Sequence, residues 1–272
     1  MRARAVALPL LALVAACSPA PPDRATPDGA REPTFLTVTN DALGPLLLGS
    51  RDGAFVSGDA GRTWGELRPR AWPAIAMATT SGAVIVSTGT RRLTYDLQLE
   101  RAIEDPQAWP GGRYVAALAA IPSSRLVWAL TRGVQPRLLR SRDDGVTWTP
   151  LVATGLCRTP RSLAATQAED GPPVLFAACG PDGLLVSRDD GLSFERVAGV
   201  DAARDVATCL ADRRMLVIAT PLVRVSHDLG ATWEDGDLLA ERVAIDPRNP
   251  LLVFAIATND RLFASKDGGR TF

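Results

Sequence analysis

The chain has 272 residues in which 30 basic and 30 acidic side chains cancel, so no global field draws it onto nucleic acid or an anionic membrane surface. Hydrophobic residues make up 46% of it, and there is a single histidine and four cysteines with no Cys-x-x-Cys pair. A zinc centre of the usual kind is thereby excluded, and no cofactor or metal is expected.

In chain order, Arg2 and Arg4 precede an apolar run from Val6 to Ala16, too short to span a bilayer and fitting a secretory signal over residues 1–16. The run closes Leu13-Val14-Ala15-Ala16-Cys17, which resembles the bacterial lipoprotein signal; the alternative is a plain signal peptide with an incidental cysteine. The resemblance implies lipidation of Cys17, and Ser18 after it implies the outer membrane, facing the periplasm or the cell surface. Residues 17–33 are rich in Pro, Ala and charge and read as a disordered tether. The only membrane contact expected is through the lipid.

From residue 34 to 272 one pattern recurs. SGDAGRTW (57–64), SRDDGVTW (141–148), SRDDGLSF (187–194), SHDLGATW (226–233) and SKDGGRTF (265–272) share Ser-x-Asp-x-Gly-x-Thr/Ser-aromatic. The serines at 57, 141, 187, 226 and 265 are spaced by 84, 46, 39 and 39. The doubled first gap holds a decayed copy, SGAVIVSTGTRRLTYDLQL (81–99). A period of about 40 residues marks a propeller or solenoid array. Each period shows three or four short apolar strands punctuated by turn residues, with almost nothing helical. Units starting near 34, 72, 112, 160, 203 and 241 predict an all-β, six-bladed β-propeller, and a monomer is expected.

The motif falls between the third and fourth strands of a unit. Its Asp can accept bonds from nearby N–H groups, its Gly tolerates φ > 0, and its aromatic can pack between blades. A structural role is therefore predicted for Ser57, Asp59, Gly61 and Trp64, for Asp143, Gly145 and Trp148, for Asp189, Gly191 and Phe194, for Asp228, Gly230 and Trp233, and for Asp267, Gly269 and Phe272. These residues resemble the Asp-box, or bacterial neuraminidase repeat, of sialidases, sortilin-type ectodomains, xyloglucan-cleaving glycosidases and photosystem II assembly factors. The resemblance implies the fold and says little of function, since those families do unrelated things.

Cys157 precedes the first strand of the fourth unit and Cys179 ends its second. Antiparallel pairing puts those ends together, predicting a Cys157–Cys179 disulfide with Cys209 a buried free thiol. The chain stops at Phe272, where a fourth strand should begin; either a segment near Thr34 supplies that strand or the sequence is a fragment.

Binding is expected on the opposite face, on the loops gathered at the channel mouth. Arg113 before Tyr-Val-Ala, Arg161 before Ser-Leu-Ala and Arg204 before Asp-Val-Ala hold one place in successive units and could converge on a carboxylate or phosphate. Neighbouring loops add Arg70, Arg91, Arg92 and Arg132, with Trp72 and Trp109 as candidate sugar-stacking platforms. The bland alternative is that such arginines pair with local acids such as Asp205.

Resemblance to sialidases raises a hydrolase reading, but the family's Phe/Tyr-Arg-Ile-Pro motif is missing: Ile121-Pro122 follows Ala-Ala. Tyr95 falls in the decayed turn and Tyr114 has no obvious glutamate partner. Glu100, Glu104, Asp105, Asp182 and Asp201 are loop acids with no evident pairing for glycoside hydrolysis, and His227 lies inside a turn motif. No catalytic residue is assigned. The expected function is a non-catalytic scaffold for an envelope protein, as resemblance to the photosystem assembly factors implies, with carbohydrate binding or a sialidase-like hydrolase as the alternatives.

Overall fold

The structure is a computed structural model that describes residues 26–27, 30, 32–38, 45–67, 73–96 and 102–272. Signal, anchor and most of the tether, including Cys17, lie outside them, as do Arg70 and Trp72.

The described strands are arranged in five sheets around a common axis. Sheet I is β1 (Phe35–Val38), β2 (Leu46–Ser50), β3 (Gly53–Ser57) and β4 (Gly65–Glu66). Sheet II is β5 (Ala76–Thr79), β6 (Val84–Ser87), β7 (Arg91–Tyr95) and β8 (Ala102–Ala108). Sheet III is β9 (Tyr114–Ile121), β10 (Leu126–Arg132), β11 (Leu138–Ser141) and β12 (Thr149–Leu151). Sheet IV is β13 (Ser162–Gln167), β14 (Pro173–Ala178), β15 (Leu184–Ser187) and β16 (Glu195–Arg196). Sheet V has six strands: β17 (Asp205–Thr208), β18 (Leu216–Ala219), β19 (Leu222–Ser226), β20 (Glu234–Asp246), β21 (Asn249–Ala257) and β22 (Leu262–Ser265). Neighbouring strands pair antiparallel throughout, as in β13 and β14, where Ser162 faces Ala178 and Gln167 faces Pro173.

This corrects the expected blade count: the propeller has five blades, not six. The units read as starting near 203 and 241 are one sheet, because β20 runs without a break. Its first half pairs with β19 and its second with β21. The link from motif aromatic to the next inner strand shortens along the chain, from Trp148–Arg161 through Phe194–Arg204 to Trp233–Glu241. The last leaves no room for a turn, so an outer strand becomes an inner one.

Each pair of adjacent sheets buries its own core. Trp128, Leu138, Leu175 and Phe194 lie between sheets III and IV, and Phe176, Val200, Leu216 and Ile218 between IV and V. The two halves of sheet V bury Cys209, Val217 and Val225 against Val243, Val253 and Ala255. The ring closes where Leu36, Leu46 and Phe55 of sheet I pack on Phe254, Ile256 and Leu262.

The five turns share one hydrogen-bond plan. In the first, Asp59 Oδ1 accepts from the Ser57 hydroxyl (2.8 Å) and from the N–H groups of Arg62 (3.0 Å) and Thr63 (2.8 Å), while Oδ2 accepts from the Thr63 hydroxyl (2.7 Å). Ser57 Oγ accepts from the Gly61 N–H (2.7 Å). Ser141–Asp143, Ser187–Asp189, Ser226–Asp228 and Ser265–Asp267 repeat the first bond at 2.6–2.8 Å. The glycines at 61, 145, 191, 230 and 269 have φ between 87° and 95°, a region closed to most side chains. The residue after the Asp also ties sheets together: Asp144 accepts from the Ser81 hydroxyl at 2.8 Å, and Asp190 pairs with Arg140 of the preceding sheet. These carboxylates are engaged in building corners and offer little free chemistry.

Cys157 and Cys179 are disulfide-linked, and Cys209 is a buried free thiol whose ionisation burial pushes up. A loop with a sequence separation of 22 is worth about 3 kcal/mol in the chain-entropy account. Replacing both cysteines by serine should therefore lower the melting temperature by about 6–12 °C, read by circular dichroism without reductant.

Candidate functional site

The inner strands begin at one end of the central channel, and the residue just before each holds what can be called its lead position. Arg161 N–H bonds the Ala178 carbonyl and Arg204 N–H bonds the Ala219 carbonyl (2.9 and 2.7 Å), each at the end of the neighbouring strand. Thr34 and Ile75 donate in the same way to Gly49 and Ser87. Arg113 directly precedes β9, as Arg161 and Arg204 directly precede β13 and β17.

The residue following the lead position is structural. Ser162 Oγ accepts from the Val206 N–H (3.4 Å). Asp205 accepts from the N–H groups of Val206 and Val243, both at 3.0 Å. Arg242 Nε donates to the Thr34 carbonyl (2.8 Å), and the Thr34 hydroxyl donates to the Ala74 carbonyl. The Ser87 hydroxyl donates to the Val115 carbonyl (3.0 Å). Side chains therefore tie inner strand to inner strand around much of the mouth. Asp205 is 6% exposed; burial pushes its pKa up, against the pull of the Arg242 guanidinium and its hydrogen bonds.

The channel has a volume of ≈ 160 Å³ and is lined largely by alanine and small aliphatic residues, with Thr37, Thr79, Ser162, Thr208 and Arg161 among its polar members. Ligand pockets commonly hold about 300–1,000 Å³, so a sizeable ligand would rest on the rim rather than enter. Among the described lining residues Asp205 is the only carboxylate.

Of the residues singled out in the sequence, Arg161 reaches the channel lining and is exposed, while Arg113 and Arg204 are half-buried on the rim. Arg132 is exposed at the end of β10, and Arg91 at the start of β7. Arg204 pairs with Glu241, not with the adjacent Asp205. Among the described residues neither Arg113 nor Arg161 has an acidic partner. Arg92 is buried, donating to Gln107 (2.8 Å) and lying 5.6 Å from the Trp109 ring.

Trp109 does not serve as a sugar platform. It is 1% exposed, packs edge-on against Trp148 at 5.1 Å, and donates its Nε1–H to Ser87 Oγ and the Arg91 carbonyl. It holds sheet II to sheet III, a role signalled by its place just ahead of an inner strand. Trp72 lies outside the described residues, as does Glu100. Glu104 and Asp105 belong to β8, the outermost strand of its sheet. Tyr95 is buried and its phenol is pushed up to about 12 by burial. Tyr114 is 37% exposed at the mouth, beside Gly89. Asp201 lies 3.9 Å from Arg196, and His227 lies 3.9 Å from Asp212.

Glu241 was not singled out by sequence reasoning, yet a signal was there. Glu241-Arg-Val-Ala aligns with Arg204-Asp-Val-Ala, putting an acid at the lead position.

The sheets and their axial channel define a β-propeller. Solved structures agree. An ancestral GH74 enzyme matches at 17% identity and TM-score 0.60, over 90% of this chain and 37% of that one; the chain thus spans little more than a third of that enzyme's length. The Neurospora crassa Pan2 WD40 domain matches at 12% identity and TM-score 0.57, over 86% of this chain and 75% of that one. A chain of a nidogen/laminin complex matches at 14% identity and TM-score 0.60, over 84% and 95%. At such identities the likeness is one of fold alone. No family model matches the sequence, and no curated protein does.

Proposed function

We propose that this propeller is a non-catalytic binding scaffold that holds an anionic envelope partner at its channel mouth through Arg113 and Arg161. The observation that carries this reading is the rim itself: two arginines stand at like points of adjacent sheets with no acid partner among the described residues, while Arg204 is already paired. Guanidinium groups presented in this way match carboxylates in geometry and charge. A sialidase- or GH74-like hydrolase is less well supported, because glycoside hydrolysis needs two facing carboxyl groups. Among the described lining residues the one carboxylate is Asp205, which is committed to backbone N–H groups. The five turns are read as Asp-boxes, and the propeller as lipid-anchored through Cys17 in the bacterial envelope.

The test is capture of cross-linked partners from the native envelope by wild type and by an Arg113→Ala/Arg161→Ala variant of unchanged melting temperature. The variant is expected to lose about tenfold or more of the captured partner, and wild-type capture should weaken as salt rises. Equal capture by both proteins would remove these arginines from the site.

A further inference from the structure

The lead positions do not all carry the same charge. In chain order they read Thr34, Ile75, Arg113, Arg161, Arg204 and Glu241. Glu241 occupies the irregularity in β20 where the register to β21 shifts, immediately before Arg242, as Arg204 comes immediately before Asp205. Its carboxylate is paired with Arg204, and the two side chains are 35% and 36% exposed. The pair is therefore open to solvent at the mouth and not locked in a core.

We propose that Glu241 is an internal counter-anion that occupies Arg204 and so sets the charge of the ligand this rim accepts. With Arg204 neutralised, Arg113 and Arg161 are the lead-position guanidiniums left without an acidic partner among the described residues. That arrangement suits carboxylate groups spaced along an acidic peptide better than the denser charge of a phosphate chain. Among the described aromatic residues at the mouth, Trp109 is buried and Tyr114 alone is exposed, at 37%, a small surface for nucleic-acid bases to stack on. Glu241 is thus a specificity-determining residue acting through Arg204, and the inference rests on the rim reading given above.

The electrostatic consequence has a definite sign. Glu241 competes with any ligand for Arg204, so removing its charge strengthens binding instead of weakening it. A half-exposed pair is worth little, which limits the gain to about threefold to tenfold.

The experiment measures fluorescein-labelled hexaglutamate binding by anisotropy at low salt, on the full chain. Glu241→Gln and Glu241→Ala are each expected to tighten binding by about threefold to tenfold. In an Arg204→Ala background the same changes should have no effect, because their route is gone; a general field effect would persist there. If Arg113→Ala/Arg161→Ala weakens binding while neither Glu241 variant tightens it, the counter-anion role falls and the rim site stands. If the arginine pair variant binds like wild type, the rim reading fails and takes this inference with it. Tighter wild-type binding of dodecathymidylate than of hexaglutamate would overturn the assignment to carboxylates. Melting temperatures of all variants separate loss of folding from loss of binding, and a Glu241 variant that melts lower yet binds more tightly still supports the proposal.

Discussion

Replacing Gly61 by alanine should lower the melting temperature by about 5–15 °C, whereas the same change at Gly58, three residues earlier, should leave it nearly unmoved. Gly61 sits at φ 87°, and a Cβ built there lies 2.3 Å from Leu262 Cδ2. Leu262 is fully buried in the core that closes sheet V onto sheet I and has no solvent into which to swing. The backbone alone costs about 1–2 kcal/mol for an L-residue in this region, and the overlap adds about 1–3 kcal/mol. Gly58 is exposed, and a Cβ there meets nothing within 4 Å. Thermal denaturation of the two variants side by side decides the matter. Equal melting temperatures would show that the turn glycine is not what fits the corner to the neighbouring sheet.

Acid should unfold the protein progressively as pH falls below about 4, with most of the loss between about pH 4 and 2. All five motif aspartates have pKa values below the ordinary carboxylate range. For Asp59 the chief cause is the Thr63 N–H, for Asp228, lowered to about 2, the Thr232 hydroxyl, and for Asp267 the Ser265 hydroxyl. At Asp143 and Asp189 burial pulls upward, but the bonds from Thr147 and Ser193 and from the motif serines outweigh it. A folded-state pKa below the unfolded one means that the unfolded chain binds more protons in this window. The stability these groups contribute is therefore present above the unfolded pKa and lost as pH falls through the folded one. Asp205, with its pKa raised by burial, works in the opposite direction, one group against five. Melting curves at pH 7, 4 and 2.5 test this; a melting temperature constant over that range would refute it, and Asp228→Asn should show a shallower dependence than wild type.

The turns were the most legible part of the molecule, because each is a local object. Ser, Asp, Gly and Thr within a few residues hold all the groups that bond one another, so spacing alone specifies the corner. Strand content was legible for the same reason, through alternation and turn residues. The blade count was not, since it depends on whether Glu234–Asp246 breaks between two sheets. Nothing in EDGDLLAERVAID says where a strand passes from one partner to the next. Trp109 was misread because an indole near a loop looks available until its neighbour Trp148 is seen against it. At the rim, the arginines could be aligned from Arg-x-Val-Ala and Arg-x-Leu-Ala, but only the folded ring shows that Glu241 has taken Arg204 as its partner and that Asp205 has turned to the backbone of Val206 and Val243.

The unbroken course of β20 also bears on how the molecule comes apart. Between most neighbouring sheets the union is chiefly one of side chains, so one sheet could loosen while the next kept its ladder. Along β20 the peptide groups of β19 and β21 hang from a single extended backbone, and fraying on one side disturbs the other. The last quarter of the chain, from β17 to β22, is therefore expected to exchange as one cooperative unit, which would keep Arg204 and Glu241, consecutive lead positions, in fixed relation.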